Sequence, residues 1–209
     1  MAHGASGMGL ALIEIGVGCG RDDWIEGGLA AFRYEDGVYD TDHENWPDLR
    51  DLGSPKEDPR APKLPSFMVA WCHGAAGIGL ARLRATQLLP ERRAELLKGV
   101  ERAVRTTARH LDALPAEVDA SPCHGRTGLA ETLLLATDVL GDPKHADQVV
   151  RMWRALVRAR APEEPWPSGV PSGRNNPSLM LGQAGVGYGL LRADDPRSTP
   201  SILVIEGRD

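Results

Sequence analysis

A short glycine turn occurs four times in this chain, and the repeat constrains the fold more than any other feature. The copies read HGASGMG at 3–9, HGAAGIG at 73–79, HGRTGLA at 124–130 and LGQAGVG at 181–187. Each copy has two glycines three residues apart, and small or apolar residues follow the second glycine. We expect the first glycine to adopt positive φ and the second to let another backbone approach closely. The repeat predicts four tight loops that each open a helix.

Two kinds of helix are predicted around these turns. Residues 9–16 and 129–141 are apolar on nearly every side, which is typical of a buried helix. Residues 91–113 and 147–160 place apolar side chains on one face and arginine or glutamate opposite, which is typical of a surface helix. The alternation predicts an all-α fold in which inner helices line a centre and outer helices cover them.

Composition excludes several classes of protein. The 209 residues are 42% hydrophobic, which suits a single globular domain over residues 1–209. The net charge is −5 without a basic stripe, which argues against a nucleic-acid partner. No apolar run approaches the roughly 20 residues of a membrane span, so we expect no transmembrane segment.

Residues 46–66 and 161–178 are rich in proline, glycine and charge and predict loops near one common rim.

The chain has three cysteines, Cys19, Cys72 and Cys123. An odd number argues against a disulfide framework and favours a reducing, cytoplasmic location. If the turns share one rim, Cys72 and Cys123 converge there with His124, and His3 lies nearby. Two thiolates and one imidazole form a three-ligand zinc set with a fourth position open for water or substrate. From spacing alone, an inert buried cysteine is the more common case, and we interpret Cys19 as structural or incidental.

The other histidines, His43, His110 and His145, lie outside the glycine turns. Their positions correspond to predicted loops or outer helices. We therefore expect their side chains to face solvent.

The ordered set of motifs resembles a known family. AHGASG at 2–7, WCHGAAGIGLARL at 71–83 and CHGRTGLAE at 123–131 resemble three successive motifs of the lanthionine synthetase C-like family, and residues 179–206 resemble its C-terminal signature. NWPDLRD at 45–51 and the histidine after the first motif's cysteine resemble the cyclase half of a class II lanthipeptide synthetase. The resemblance covers essentially the whole chain.

The resemblance implies an α/α toroid with a zinc ion at one mouth. It assigns the zinc ligands to Cys72, Cys123 and His124 and the acid/base histidine to His3. The implied reaction adds a cysteine thiol of a ribosomal precursor peptide to a dehydroalanine or dehydrobutyrine, giving a thioether.

The implied chemistry suits these residue types. A free thiol has a pKa near 8.5, and zinc coordination would make it fully thiolate, a gain of roughly 2 kcal/mol at pH 7. Attack on the dehydro residue leaves an enolate, and His3 can protonate its α-carbon. Trp71 and His73 flank the first ligand and are predicted to line a substrate groove, although His73 could equally bond to its own loop.

The sequence also departs from the family pattern. The family toroid has more helix pairs than the four glycine turns present here, and an upstream aspartate of the family and a dehydratase half have no match. We expect an N-terminally truncated, partial toroid whose first inner helices expose apolar faces. A dehydratase domain or the missing N-terminal part is then an expected partner besides the precursor peptide.

Three functions stay open at this point. The first is a zinc-dependent cyclase. The second is a catalytically incomplete remnant that acts as a peptide- or partner-binding module. The third is an α-hairpin protein with inert thiols, which glycine turns alone would permit.

Overall fold

The computed structural model describes residues 1–49, 65–115, 117–170 and 175–204. Within these ranges the regular structure is helical, apart from one isolated antiparallel bridge between Asp40 and Asn45. The α-helices are α1 (Ala5–Cys19), α2 (Asp22–Gly37), α3 (Ala75–Leu88), α4 (Arg93–Ala113), α5 (Arg126–Leu140), α6 (Lys144–Ala159) and α7 (Gln183–Asp194), and a 3₁₀ turn at Pro90–Arg92 leads into α4. The predicted all-α class is confirmed.

The helices form an inner and an outer layer. The inner helices α1, α3, α5 and α7 pack against one another in chain order, and the outer helices α2, α4 and α6 cover them. Helices α3 and α5 are buried on nearly every side over their first three turns. Helices α4 and α6 bury one face each. The predicted alternation of buried and surface helices is therefore observed.

The second glycine of every turn occupies the same crowded position. A Cβ atom added there would lie only 2.0–2.1 Å from the carbonyl oxygen six residues earlier in the chain. The four pairs are Gly7 with Met1, Gly77 with Trp71, Gly128 with Pro122, and Gly185 with Leu179. Since any side chain would collide with backbone, the loop can cross the start of its helix only over glycine.

The first glycine of the turns behaves differently from the prediction. Gly74 alone among the four has positive φ, at 79°. Gly4, Gly125 and Gly182 have φ of −112°, −105° and −137°. The prediction of positive φ is wrong at these three positions. At Gly125 and Gly182 close approach is the constraint instead, because an added Cβ would lie 2.5 and 2.0 Å from a backbone oxygen.

Helix α1 is buried on one side only. Leu10 and Ile13 belong to the core, whereas Met8, Leu12 and Ile15 are 64%, 37% and 51% exposed. The prediction from helical periodicity that this helix is buried on all sides is therefore wrong, whereas the expected exposure of apolar side chains on the first inner helix is observed. Among the described residues, no helix is both long and apolar enough to cross a membrane.

The histidines outside the turns do not all face solvent. His43 is exposed, but His145 is buried, and burial lowers its pKa. The prediction for His145 is wrong because α6 begins at Lys144 and places His145 on the same face as Val149 and Trp153, four and eight residues further on. His110 is half-buried, and burial lowers its pKa as well.

A buried carboxylate on α5 anchors the segment after α7. Glu131 accepts hydrogen bonds from the hydroxyls of Tyr188 and Ser201, both at 2.6 Å. Its Oε1 also lies 3.1 Å from Nε of Arg192. Because the buried charge is paired and bonded on all sides, it holds the 201–204 segment against the inner layer.

Candidate metal centre

Three predicted ligands meet at the end of the inner helices where the glycine turns lie. Cys72, Cys123 and His124 each offer a donor atom, and these atoms lie within 4.8 Å of one another. Both cysteines are half-buried, and the His124 side chain is 35% exposed. The cluster is thus reachable from solvent and compact enough for one ion.

Backbone hydrogen bonds connect the turns that carry the cluster. The amide of Cys72 donates to the carbonyl of Cys123 at 3.1 Å, and the amide of Cys123 donates to the carbonyl of Met180 at 3.0 Å. The second, third and fourth turns therefore form one continuous rim, as the shared-rim prediction requires. The described part of the 161–178 loop also reaches this rim, through Gly169.

The electrostatics of the two thiols suit a divalent cation. Burial, followed by the neighbouring Cys72, raises the pKa of the Cys123 thiol to about 12. Burial and the neighbouring sulfur both disfavour a thiolate at Cys123, so this thiol stays protonated without a counter-charge. A soft divalent ion would stabilise both thiolates at once, and the sulfur–sulfur–nitrogen donor set is one that zinc binds.

An aspartate that the sequence did not single out lies beside the imidazole. Nε2 of His124 is 3.3 Å from Oδ2 of Asp119 and 3.0 Å from the carbonyl oxygen of Gly169. Asp119 in turn accepts from the amide of Ser121 at 2.7 Å and from its hydroxyl at 2.8 Å. The Asp-x-Ser pattern at 119–121 was the available signal, because it favours this local side-chain turn.

A cavity of about 260 Å³ adjoins the cluster on the side of Cys72. Its polar lining includes His3, His73, Asp48 and Glu35, and its apolar lining includes Trp46, Val38 and Ile78. His3 is exposed and reaches this lining from the residues just before α1. The cavity thus brings the predicted acid/base histidine and one ligand to the same space.

Glu35 fixes the first turn of α1, which begins two residues after His3. Its carboxylate accepts from the amide of Ser6 at 2.8 Å and from the Ser6 hydroxyl. Nη2 of Arg82 lies 3.6 Å away and supplies a compensating charge from α3. This buried group was not predicted, because its sequence context is an ordinary surface helix.

The 45–49 segment packs against the start of α3. Oδ1 of Asn45 accepts from the amide of Ala75 at 3.0 Å, so Asn45 caps α3 from a distant part of the chain. Asp48 places Oδ2 at 3.8 Å from Nε2 of His73. Residues 50 and 51 of the predicted motif lie outside the described residues.

The two predicted substrate-binding residues lie in different surroundings. His73 lines the cavity, and its backbone exchanges hydrogen bonds with Ala70 at 3.3 and 2.9 Å. Trp71 instead packs against the main hydrophobic core. A peptide-binding role for either residue stays a prediction.

Comparison with protein families agrees with this architecture. The family model described as "Lanthionine synthetase C-like protein" matches residues 1–204. The chain therefore belongs to the lanthionine synthetase C-like family, which supports a role of the lanthionine-cyclase type. Among curated proteins, no match was found.

Proposed function

We propose that this chain is a zinc-dependent peptide cyclase that forms lanthionine or methyllanthionine bridges. The observation that carries the proposal is the convergence of Cys72, Cys123 and His124 beside a cavity that His3 also lines. An inert-thiol protein has no need for three donor atoms within 4.8 Å at a solvent-accessible rim. Family membership favours the same reaction.

Cys72, Cys123 and His124 would hold the zinc ion. When bound, zinc would supply a stabilised, nucleophilic thiolate at neutral pH. The cavity admits the dehydroalanine or dehydrobutyrine side chain against its apolar lining of Trp46 and Ile78.

The residues around the cavity then complete the addition. The peptide thiol loses its proton to solvent, its sulfur then bonds to the β-carbon, and the double-bond electrons move into the enolate of the dehydro residue. His3 donates a proton to the α-carbon, which restores a saturated residue. Its exposed position lets it exchange that proton with solvent between turnovers.

The substrate of the proposed reaction is a ribosomal precursor peptide that already carries dehydro residues. A dehydratase would supply these dehydro residues, so it is the proposed partner of the cyclase. We place the reaction in the cytoplasm, where free peptide thiols persist.

The proposal is tested with a pre-dehydrated precursor peptide and the zinc-loaded protein. Cyclisation does not change peptide mass, so the readout is the loss of free peptide thiols, counted by alkylation and mass spectrometry. We expect thiol loss with the unsubstituted protein and with Cys19→Ala, and none with Cys123→Ala. His3→Ala is expected to slow the reaction by about 10²–10⁴-fold, the usual contribution of a general acid.

The alternative is a binding module that holds a peptide without closing rings. Peptide binding by a folded, zinc-loaded protein without thiol loss would establish this alternative and contradict the cyclase.

A further inference from the structure

We infer that Asp119 is a positioning residue that, together with the Gly169 carbonyl, orients the His124 ring and leaves Nδ1 as its metal-ligating nitrogen. The inference rests on the proposed zinc function. It adds a residue and an atom assignment that the predicted ligand set does not contain.

The hydrogen bonds of the ring decide which nitrogen carries the proton. Nε2 of His124 faces two oxygens, the Gly169 carbonyl at 3.0 Å and Oδ2 of Asp119 at 3.3 Å. A carbonyl and a carboxylate can only accept, so Nε2 of the neutral ring must be the N–H donor. The lone pair is then on Nδ1, and that nitrogen is the one able to bind a metal.

Asp119 is itself held in place. Its carboxylate accepts the Ser121 amide at 2.7 Å and hydroxyl at 2.8 Å, and the side chain is 14% exposed. Its own carbonyl accepts from the amide of Arg126 at 3.0 Å, at the start of α5. The carboxylate therefore has a defined position relative to the turn that carries His124.

The loop before the fourth turn closes over this pair. The amide of Ala120 donates to the Pro167 carbonyl at 3.1 Å, and the amide of Gly169 donates to the Leu181 carbonyl at 2.9 Å. A Cβ added at Gly169 would lie 2.7 Å from Nε2 of His124 and 2.9 Å from Oδ2 of Asp119. Only a glycine lets the loop carbonyl reach the ring without displacing it.

Zinc affinity tests the role of Asp119. Partners that orient a ligating histidine typically contribute about 10–100-fold to metal affinity. We expect Asp119→Ala to weaken zinc binding by that factor in competition with a chromophoric chelator. Asp119→Asn keeps an acceptor oxygen and should recover part of the loss. Asp112→Ala, which removes an exposed carboxylate from α4, should bind zinc like the unsubstituted protein.

A merely structural role for Asp119 predicts a different pattern. In that case Asn and Ala would lower thermal stability and zinc affinity together, without selective recovery by Asn. Should Asp119→Ala fail to fold, Gly169→Ala provides the second variant, because its Cβ would displace the ring while Asp119 remains. Unchanged zinc affinity in a folded Asp119→Ala or Gly169→Ala protein overturns the inference.

A second readout needs no metal. Long-range ¹H–¹⁵N correlation spectra of the metal-free protein report which ring nitrogen carries the proton. We expect His124 to be the Nε2–H tautomer, with the preference weakened in Asp119→Ala. If His124 carries its proton on Nδ1, the inference is overturned even when zinc binds. If His124 is the Nε2–H tautomer but the protein binds no zinc, only the proposed function is overturned.

Discussion

The backbone amide of Cys72 donates to the carbonyl oxygen of Cys123 across 3.1 Å, which joins two turns that are 51 residues apart in the chain. This bond belongs to the main chain and does not depend on either thiol. The two cysteines are therefore brought together by the fold, before any ion binds. A preorganised site of this kind binds metal without a large folding transition.

Removal of the metal should consequently leave the helices intact. We expect chelation to leave the far-ultraviolet circular dichroism unchanged and to lower the thermal midpoint, because zinc stabilises the folded state that binds it. Cys72→Ser should reproduce the lowered midpoint in the presence of zinc, while Cys19→Ser, outside the cluster, should not. Loss of helical signal on chelation would show that the ion organises the rim.

The crowded glycines provide a stability test within one helix. In α7, a Cβ at Gly185 would lie 2.0 Å from the Leu179 carbonyl and 2.4 Å from Pro122, whereas Gly187 has nothing within 4 Å. We expect Gly185→Ala to lower the free energy of unfolding by about 2 kcal/mol or more, as overpacked sites do. Gly187→Ala should raise it by up to about 1 kcal/mol through helix propensity. Urea unfolding of both variants measures these changes. Equal changes in the free energy of unfolding would contradict the close crossing of the loop over the start of α7.

The buried carboxylate of α5 gives a third test. Glu131→Gln removes the charge that Tyr188, Ser201 and Arg192 surround. Loss of one partner of a buried ion pair typically costs about 3–5 kcal/mol, since the other charge stays buried. Asp138→Asn, an exposed change on the same helix, should alter stability by less than about 0.5 kcal/mol. Similar denaturation midpoints for the two variants would refute the anchoring role of Glu131.

The thiol pair predicts a pH dependence in the metal-free protein. Burial raises the pKa of Cys123 from 9.0 to about 12, so between these values the folded state holds a proton that the unfolded state has lost. The stability contribution is complete below pH 9 and falls as pH rises towards 12. We expect the urea midpoint to decline over this window, and less steeply in Cys123→Ser. If the urea midpoint of Cys123→Ser declines as steeply or more steeply, Cys123 is not the source of the pH dependence.

The same protonation should slow alkylation. At pH 8 iodoacetamide reacts with thiolate, which Cys123 forms only rarely, and Cys19 is exposed. Peptide mapping of the metal-free protein should therefore find Cys19 modified well before Cys123. Equal rates would show that the Cys123 thiol is more acidic or more accessible than the structure indicates.

Local patterns in the sequence were enough to predict the helix layers and to suggest that Cys72, Cys123 and His124 lie close together. Apolar residues around α5 and the one-sided pattern of α4 follow directly from helical periodicity. The adjacent Cys123 and His124, combined with a second cysteine in an equivalent turn, gave the cluster. These predictions were possible because each depends on residues within one turn or one helix.

Features that depend on tertiary contacts were missed. Glu35 and Asp48 gain their roles from Ser6 and His73, which are 29 and 25 residues away, and nothing local distinguishes these two from surface carboxylates. Asp119 has a local turn pattern, but its place beside the ring also depends on the loop of Gly169, whose carbonyl contacts His124 from 45 residues away. His145 was misassigned for the same reason, since the packing face of α6 depends on where the helix begins. The prediction of positive φ failed at Gly125 and Gly182 because close backbone approach, which the sequence does not display, also requires glycine.

Zinc content is the measurement that tests the central claim most directly. Purified, monodisperse protein and its Cys123→Ala variant are analysed for metal, with circular dichroism to verify that both are folded. The account predicts about one zinc per chain, held by three protein ligands, and its loss in the variant. A folded, unsubstituted protein without zinc, or a variant that retains it, would contradict the account.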